Sequence, residues 1–392
     1  MVLKNHESAL LPAGITDGLP PDAEDEAAVL EQVMKTLAAY GYDRVKPPLI
    51  EFEESLFGGL GMAIMQQTFR LLDPESQRMM GLRADITPQV ARIASSRLSE
   101  ASRPLRLSYA GQVIRVKGPQ LRAERQFTQV GAEIIGSANP AADAETICLA
   151  AEALIALGIK GLSVDLGMPP LVATVCADIN PTDEQFLLLR AALDRKDTAT
   201  VQALAADIGE ESAAMLLALM NASGPVGSAL QNLSKIDLPL AAAAFRNEFE
   251  EIIATIMTRS PDLSLTIDTV ENRGFEYHTG ITYTLFARGV RGELGRGGRY
   301  PAPAGDGTEP ATGFSLFMDT VLRARGRKAG PDRLFVPYGT DSARARQWRA
   351  EGWIAVEGLE PVNDTTSEAR RLNCSHLVVA GIIKNLEPKD GE

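Results

Sequence analysis

Reactive and aromatic side chains are scarce in this chain: three cysteines, three histidines and two tryptophans among 392 residues, with aromatics at 5%. Cys148, Cys176 and Cys374 are far apart and odd in number, and no C-x-x-C or mixed Cys/His spacing occurs. Neither a disulfide framework nor a zinc site is supported, so no metal and no cofactor is expected. His6, His278 and His376 stand alone, which gives general-base chemistry little to build on. No run approaches the apolar length of a membrane span, and no basic segment followed by an apolar stretch opens the sequence. No membrane association and a cytoplasmic location are therefore expected. Positive charge is short as well: the net charge is -12, the wrong sign for a protein that grips nucleic acid. The phosphate loop G-x-x-x-x-G-K-[ST], the G-x-S-x-G elbow, the H-E-x-x-H helix and a carboxylate-rich calcium loop are all missing. The glycines of 289–298 do not follow the dinucleotide pattern either.

What is present suffices for a substantial core, with 45% apolar and 23% charged residues. One stretch runs against the overall charge. Between Arg70 and Arg125 eleven Lys/Arg stand against five Asp/Glu, consistent with either a solvated face or an anion site. The length predicts two or three folding units. A first helix starts after the Pro20-Pro21 loop with Asp22 as its cap, buries Leu30, Val33, Met34 and Leu37 along one stripe, and stops at Gly41. Strand patterns follow at PLIEF, LRLSYAGQVIRV and QFTQVGAEII, then an alanine-rich helix from about Pro140 to Gly158. From about 169 to 260 the pattern is helical with no strand signal, and reads as an insertion. Strand character returns at LSLTIDTV and continues through GFEYHTGITYTLFA, a hairpin turning near Thr279-Gly280. A glycine-rich segment, a loop from Pro301 to Pro310, and a strand running into a helix over ATGFSLFMDTVLRAR complete the first unit, 1–325. Residues 326–392 alternate short strands and helices, the mark of a small βαβαβ unit. No internal repeat is visible.

Two segments carry candidate binding groups. In QFTQVGAEII, alternate residues share a face, so Phe127, Gln129, Gly131 and Glu133 point one way and Thr128, Val130, Ala132 and Ile134 the other. The second set suits a core. The first is either a polar outer face or the wall of a pocket in which Gly131 leaves room for a small guest. In LRADITPQVARIA, Thr87 before Pro88 predicts a helix cap, while Asp85 beside a helix start could meet the ammonium end of an amino acid whose carboxylate the helix attracts.

Taken in order, these pieces resemble histidyl-tRNA synthetase from about Leu10 to Arg325. The opening P-x-G-x-x-D is Pro12, Gly14 and Asp17. The dimer-forming motif 1 is similar to YGYDRVKPPLIE at 40–51, and the histidine-binding L-R-P-E-G-T is similar to Leu82 to Thr87. Motif 2 resembles YAGQVIRVKGPQLRAERQFTQVGAEIIG without a gap, through Tyr109, Gly111, Arg115, Pro119, Gln120, Arg125, Gln126, Phe127, Gln129, Gly131, Glu133 and Gly136. R-G-L-D-Y-Y is similar to Arg273 to His278, and G-G-R-Y is Gly297 to Tyr300. The resemblance implies an α+β fold of the class II aminoacyl-tRNA synthetase type: an antiparallel sheet flanked by helices, with a helical insertion and a small α/β C-terminal domain similar to a shortened anticodon-binding domain. It implies a histidine site made by Asp85, Thr87, Arg115, Gln129, Glu133, Arg273, Tyr277 and His278. In it Asp85, Thr87 and Gln129 meet the α-amino group, Glu133 and Tyr277 face the imidazole, and Arg273 stands near the carboxylate.

The departures bear on chemistry. The motif 3 arginine that steadies the transferring phosphates is replaced by Thr320, and the glutamate that meets adenine by Lys117. The second tyrosine of R-G-L-D-Y-Y is His278, the aspartate after G-G-R-Y is Pro301, and Asp85 stands for a glutamate. One such contact is typically worth ~3 kcal/mol, so efficient ATP activation is not expected. A synthetase-like chain with these losses resembles the regulatory subunits of ATP phosphoribosyltransferase. In that family the partner is a short-form catalytic subunit that performs the first step of histidine biosynthesis. The two assemble as a hetero-octamer in which the regulatory chain, not itself an enzyme, is required for activity and for feedback inhibition by L-histidine. The resemblance also implies a self-dimer through the motif 1 region. A divergent synthetase with residual activating activity and a general amino-acid-binding module are the alternatives.

Overall fold

The computed structural model describes residues 10–118, 124–177, 182–271, 278–326 and 332–386. It divides into two compact units, Met1–Gly326 and Arg327–Glu392. In the first, a nine-stranded sheet runs in the order Asp43–Arg44, Leu105–Ile114, Gln126–Ile135, Gly307–Phe317, Gly295–Ala304, Thr282–Ala287, Leu162–Gly167, Ser264–Asp268 and Gly224–Pro225. The pairings from Leu105–Ile114 through to Leu162–Gly167 are antiparallel, and a parallel pairing flanks them on each side.

Helices Asp22–Ala39, Pro140–Ala156 and Leu240–Arg259 lie on one face of this sheet. Their apolar stripes (Val29, Val33 and Leu37; Ile147 and Leu154; Ile252 and Ile256) join Val130, Ala132, Ile134, Leu285 and Leu316 in the main core. On the other face the helix Thr87–Ser96 brings Val90, Ala91 and Ala94 against Tyr109, Phe127, Tyr300 and Phe317. A strand with helices on both faces is buried throughout, and Phe127 to Ile135 all are. That removes the outer-face alternative for Gln129 and Glu133, which are 0% and 1% exposed.

Several local expectations are corrected. Asp22 is the first helical residue; the cap position is Pro21, and no side chain caps it. The first arm of the hairpin expected to turn near Thr279-Gly280 falls on 272–277, outside the described residues. Ser264–Asp268 and Thr282–Ala287 are separated by Leu162–Gly167, which pairs with both. On its other side Thr282–Ala287 pairs antiparallel with Gly295–Ala304. The stretch from Pro301 to Pro310 is no loop: Gly295–Ala304 and Gly307–Phe317 form one long hairpin in which Pro301 faces Pro310. Arg299 donates its main-chain N–H to Ile281, away from the Gly307–Phe317 strand. Alternation turns positions 301 and 303 the same way, past the end of Thr282–Ala287, where a missing N–H costs little. Within the helical stretch expected from 169 to 260, the break at Gly224-Pro225 adds a two-residue strand to the sheet edge.

Five arginines of the basic stretch pair with glutamates from outside it: Arg70 with Glu53, Arg78 with Glu54, Arg92 with Glu51, Arg103 with Glu309 and Arg106 with Glu145. Arg83 donates to the main-chain carbonyls of Pro47, Pro48 and Gln112.

The second unit is a four-stranded sheet in the order Ile354–Glu357, Arg333–Val336, His376–Val379 and Ile382–Asn385, with helices Ser342–Ala350 and Thr365–Arg371. Its first two pairings are parallel. Asp341 and Asp364 cap the two helices through main-chain N–H groups. Alternation along Arg333–Val336 sends Leu334 and Val336 to a core with Trp348, and Phe335 to another with Ala369 and Leu377.

Candidate functional site

The pocket on the Thr87–Ser96 side of the sheet follows from strand register. Tyr109, Gly131, Ser315 and Arg296 form one row across four neighbouring strands, and Glu133, Gly313 and Gly298 form the next. Residues directly opposite share a face, so these side chains converge with Asp85, Thr87 and His278 around roughly 400 Å3 of atom-free space counted out to its open mouth.

Glu133 sits at the bottom. Its Oε1 accepts from the Tyr109 hydroxyl at 3.0 Å and Thr87 Oγ1 at 3.2 Å, and its Oε2 from the Tyr300 hydroxyl at 2.9 Å. Burial pushes this carboxyl up to about 8; the three hydroxyls pull the other way, and Asp85 adds repulsion. Glycine makes the arrangement possible. A Cβ on Gly313 would stand 1.8 Å from Glu133 Oε2, and one on Gly298 2.5 Å from the His278 ring. These two glycines face each other, so two long side chains lie flat across the sheet. The room at Gly131 has a different use from the one expected. It holds the Tyr109 hydroxyl, 2.3 Å from where a Cβ would be, and not a guest.

Thr87 is the first residue of its helix and not its side-chain cap. The capping expectation fails because its hydroxyl turns into the pocket, 2.9 Å from the Tyr109 hydroxyl. Asp85 takes over locally, with Oδ1 accepting from Thr87 N at 3.0 Å and from Gln129 Nε2 at 2.9 Å. Asp85 Oδ2 makes no hydrogen bond among the described residues, which leaves an acceptor for an ammonium. Gln129 is committed to the protein: its oxygen accepts from Ile86 N at 3.0 Å, and its nitrogen also donates to Ser315 Oγ at 2.6 Å. It thereby ties the Asp85 loop to two strands.

Of the residues expected at the site, Asp85, Thr87, Glu133 and His278 line the pocket. Gln129 stands behind Asp85. Arg115 is buried, donates Nε to Ala84 O at 3.1 Å and lies over the Phe127 ring, beneath the loop and off the pocket wall. Arg273 and Tyr277 lie outside the described residues. Tyr109, Tyr300, Ser315 and Arg296 are site residues that the sequence reading passed over. The period of two that selected Gln129 and Glu133 would have found them, since Arg296, Gly298 and Tyr300 alternate on one strand and Gly313 and Ser315 on the next.

The motif 3 position is a different environment. Thr320 is fully buried on the helix Met318–Arg325 and accepts at Oγ1 from Arg323 Nη2 at 3.1 Å. Arg323 itself pairs with Glu124 at 2.9 Å and lies 3.9 Å from Asp319.

An antiparallel sheet of this order, with a polar pocket of this make, defines a histidyl-tRNA synthetase-like protein of the class II fold. A solved structure from Bacillus halodurans C, described as an ATP phosphoribosyltransferase regulatory subunit/histidyl-tRNA synthetase, matches with a TM-score of 0.80 at 23% identity, over 93% of this chain and 96% of that one. The family model for histidyl-tRNA synthetase matches residues 14–321. A relative from Rhodospirillum centenum, named ATP phosphoribosyltransferase regulatory subunit, is 53% identical over 97% of both chains. Another of that name from Paramagnetospirillum magneticum is 56% identical over 94% of this chain and 95% of its own. The chain belongs to the family of ATP phosphoribosyltransferase regulatory subunits.

Proposed function

We propose that this chain is the non-catalytic, histidine-sensing subunit of a cytoplasmic short-form ATP phosphoribosyltransferase, required for activity of the catalytic subunit and for its feedback inhibition by L-histidine. The observation that carries the reading is a division between the pocket and the motif 3 position. The pocket keeps acceptors for an amino-acid ligand in Asp85 and Glu133, whereas the position that should steady departing phosphates is a buried threonine whose neighbouring arginine is already engaged by carboxylates. A buried hydroxyl cannot replace a cation in phosphoryl-transfer chemistry. Asp85, Thr87, Glu133 and His278, with Arg273 and Tyr277, form the histidine site in this reading, and Gln129 and Arg115 hold its walls. Binding then acts by favouring one quaternary state, for which a coupling of ~1–3 kcal/mol suffices.

Self-association through the motif 1 region fits the small sheet Ile50–Phe52, Met79–Leu82 and Phe69–Leu72. Its surroundings leave Leu49, Leu72 and Met79 at 46%, 53% and 41% exposure, more apolar surface than an isolated edge needs. A hetero-octamer with the catalytic subunit is the assembly proposed. Mixing the purified chain with a short-form catalytic subunit tests the reading. Phosphoribosyl transfer to ATP should appear only with both chains present and should fall on addition of histidine, with a complex of matching mass by light scattering. Absence of both complex and activation would remove it.

A further inference from the structure

Two arginines on the strand Gly295–Ala304 divide between its faces. Arg296 and Arg299 are an odd number of residues apart, so alternation points them oppositely. Arg299 turns to the helix layer, where it pairs with Asp143 and donates to the main-chain carbonyls of Ser137 and Asn139. Arg296 shares the other face with Gly298 and Tyr300 and lines the pocket.

Among the described lining residues, Arg296 alone carries a permanent positive charge, against the carboxyl groups of Asp85 and Glu133. Glu133 reaches in from two strands away, roughly 10 Å at the backbone, over a floor of two facing glycines, Gly298 and Gly313. A pocket that brings these acceptors and a half-buried guanidinium to one face of the sheet fits a small zwitterion. The planar fork of an arginine matches a carboxylate with two parallel hydrogen bonds.

We infer that Arg296 is a specificity-determining residue that receives the α-carboxylate of the amino-acid ligand, a role for which the resemblance offered only Arg273. This rests on the reading of the pocket as the histidine site. The test is calorimetric titration of the full chain, as wild type, Arg296→Met and Arg296→Lys, with histidine and with histamine, which keeps ring and amine but lacks the carboxylate. Wild type should bind histidine more tightly than histamine. Arg296→Met should weaken histidine about ten- to hundredfold, the worth of a charge-assisted pair, and leave histamine within about twofold; Arg296→Lys should recover part of the loss. Unchanged histidine binding in a folded Arg296→Met, or equal losses for both ligands, would overturn the assignment while the pocket reading stands. A wild-type chain that binds neither ligand would overturn the pocket reading, and this assignment with it.

Discussion

Replacing Glu133 by glutamine should change how the stability of the large unit depends on pH, by an amount that burial sets. In the folded chain this carboxyl titrates near 8, against 4.5 when solvated, chiefly because it lies beyond the reach of water. Below the solvated value both states hold the proton, and the group's contribution to stability is fully present. Between the two values only the folded state holds it, so each rising pH unit removes about 1.4 kcal/mol. The loss levels off once the folded carboxyl has ionised. From about pH 5.5 to about pH 7.5 the wild type should therefore lose about 2.5 kcal/mol relative to Glu133→Gln, whose amide has no proton to give up. Urea unfolding read by far-ultraviolet circular dichroism at several pH values measures the difference. Both tryptophans, Trp348 and Trp353, lie in the small unit, so their fluorescence supplies an internal control that the substitution should leave alone. A wild-type-minus-variant difference that stays flat over this range, or that grows in the wild type's favour as pH rises, would refute the account of Glu133 as a carboxyl desolvated without a cation.

Gly313→Ala should abolish the flat placement of Glu133. The new Cβ would stand 1.8 Å from its carboxylate and 2.5 Å from the Ala132 carbonyl, an overpacking worth about 1–3 kcal/mol, visible as a lowered melting temperature together with lost histidine binding. Asp143→Asn leaves the Arg299 guanidinium buried beside a neutral partner, both residues being under 10% exposed. Breaking such a pair should cost about 3–5 kcal/mol, whereas an apolar double replacement at 143 and 299 should recover much of it in the same melting assay. Histidine-dependent pyrophosphate exchange with ATP should fall at least about a hundredfold below that of an authentic synthetase; exchange at synthetase rates would restore the enzymatic alternative.

How far the site could be read from sequence depended on range. The alternation of Gln129 and Glu133 is local and survives in the fold, because a strand's period of two needs no tertiary information. Which side of that strand faces water was not local. Burial of the face that carries Gln129 and Glu133 comes from the helix Thr87–Ser96, an element some forty residues away that the strand's own pattern does not announce. Thr87 misled for the same reason: threonine before proline satisfies the capping rule, yet its hydroxyl turns to the Tyr109 hydroxyl and the Glu133 carboxylate. Prolines 301, 303 and 310 read as a loop because an edge position with no ladder to break is a property of strand order, and strand order is set by pairings such as Leu162–Gly167 between Ser264–Asp268 and Thr282–Ala287.

Separating a binding pocket from a catalytic cation requires that one can be lost without disturbing the other, and the strand Gly307–Phe317 shows how this chain allows it. From Ala311 to Leu316 every position is paired on both sides by neighbouring strands, so Gly313 and Ser315 are fixed by the sheet whatever follows. Past Phe317 the chain becomes the helix Met318–Arg325, where the Thr320 hydroxyl accepts from Arg323, outside the rows carrying Glu133 and Arg296. An uncharged residue at 320 therefore removes a phosphate partner without moving the pocket floor. A mutation at 313 does the reverse, because there the backbone itself is the surface on which the Glu133 carboxylate rests.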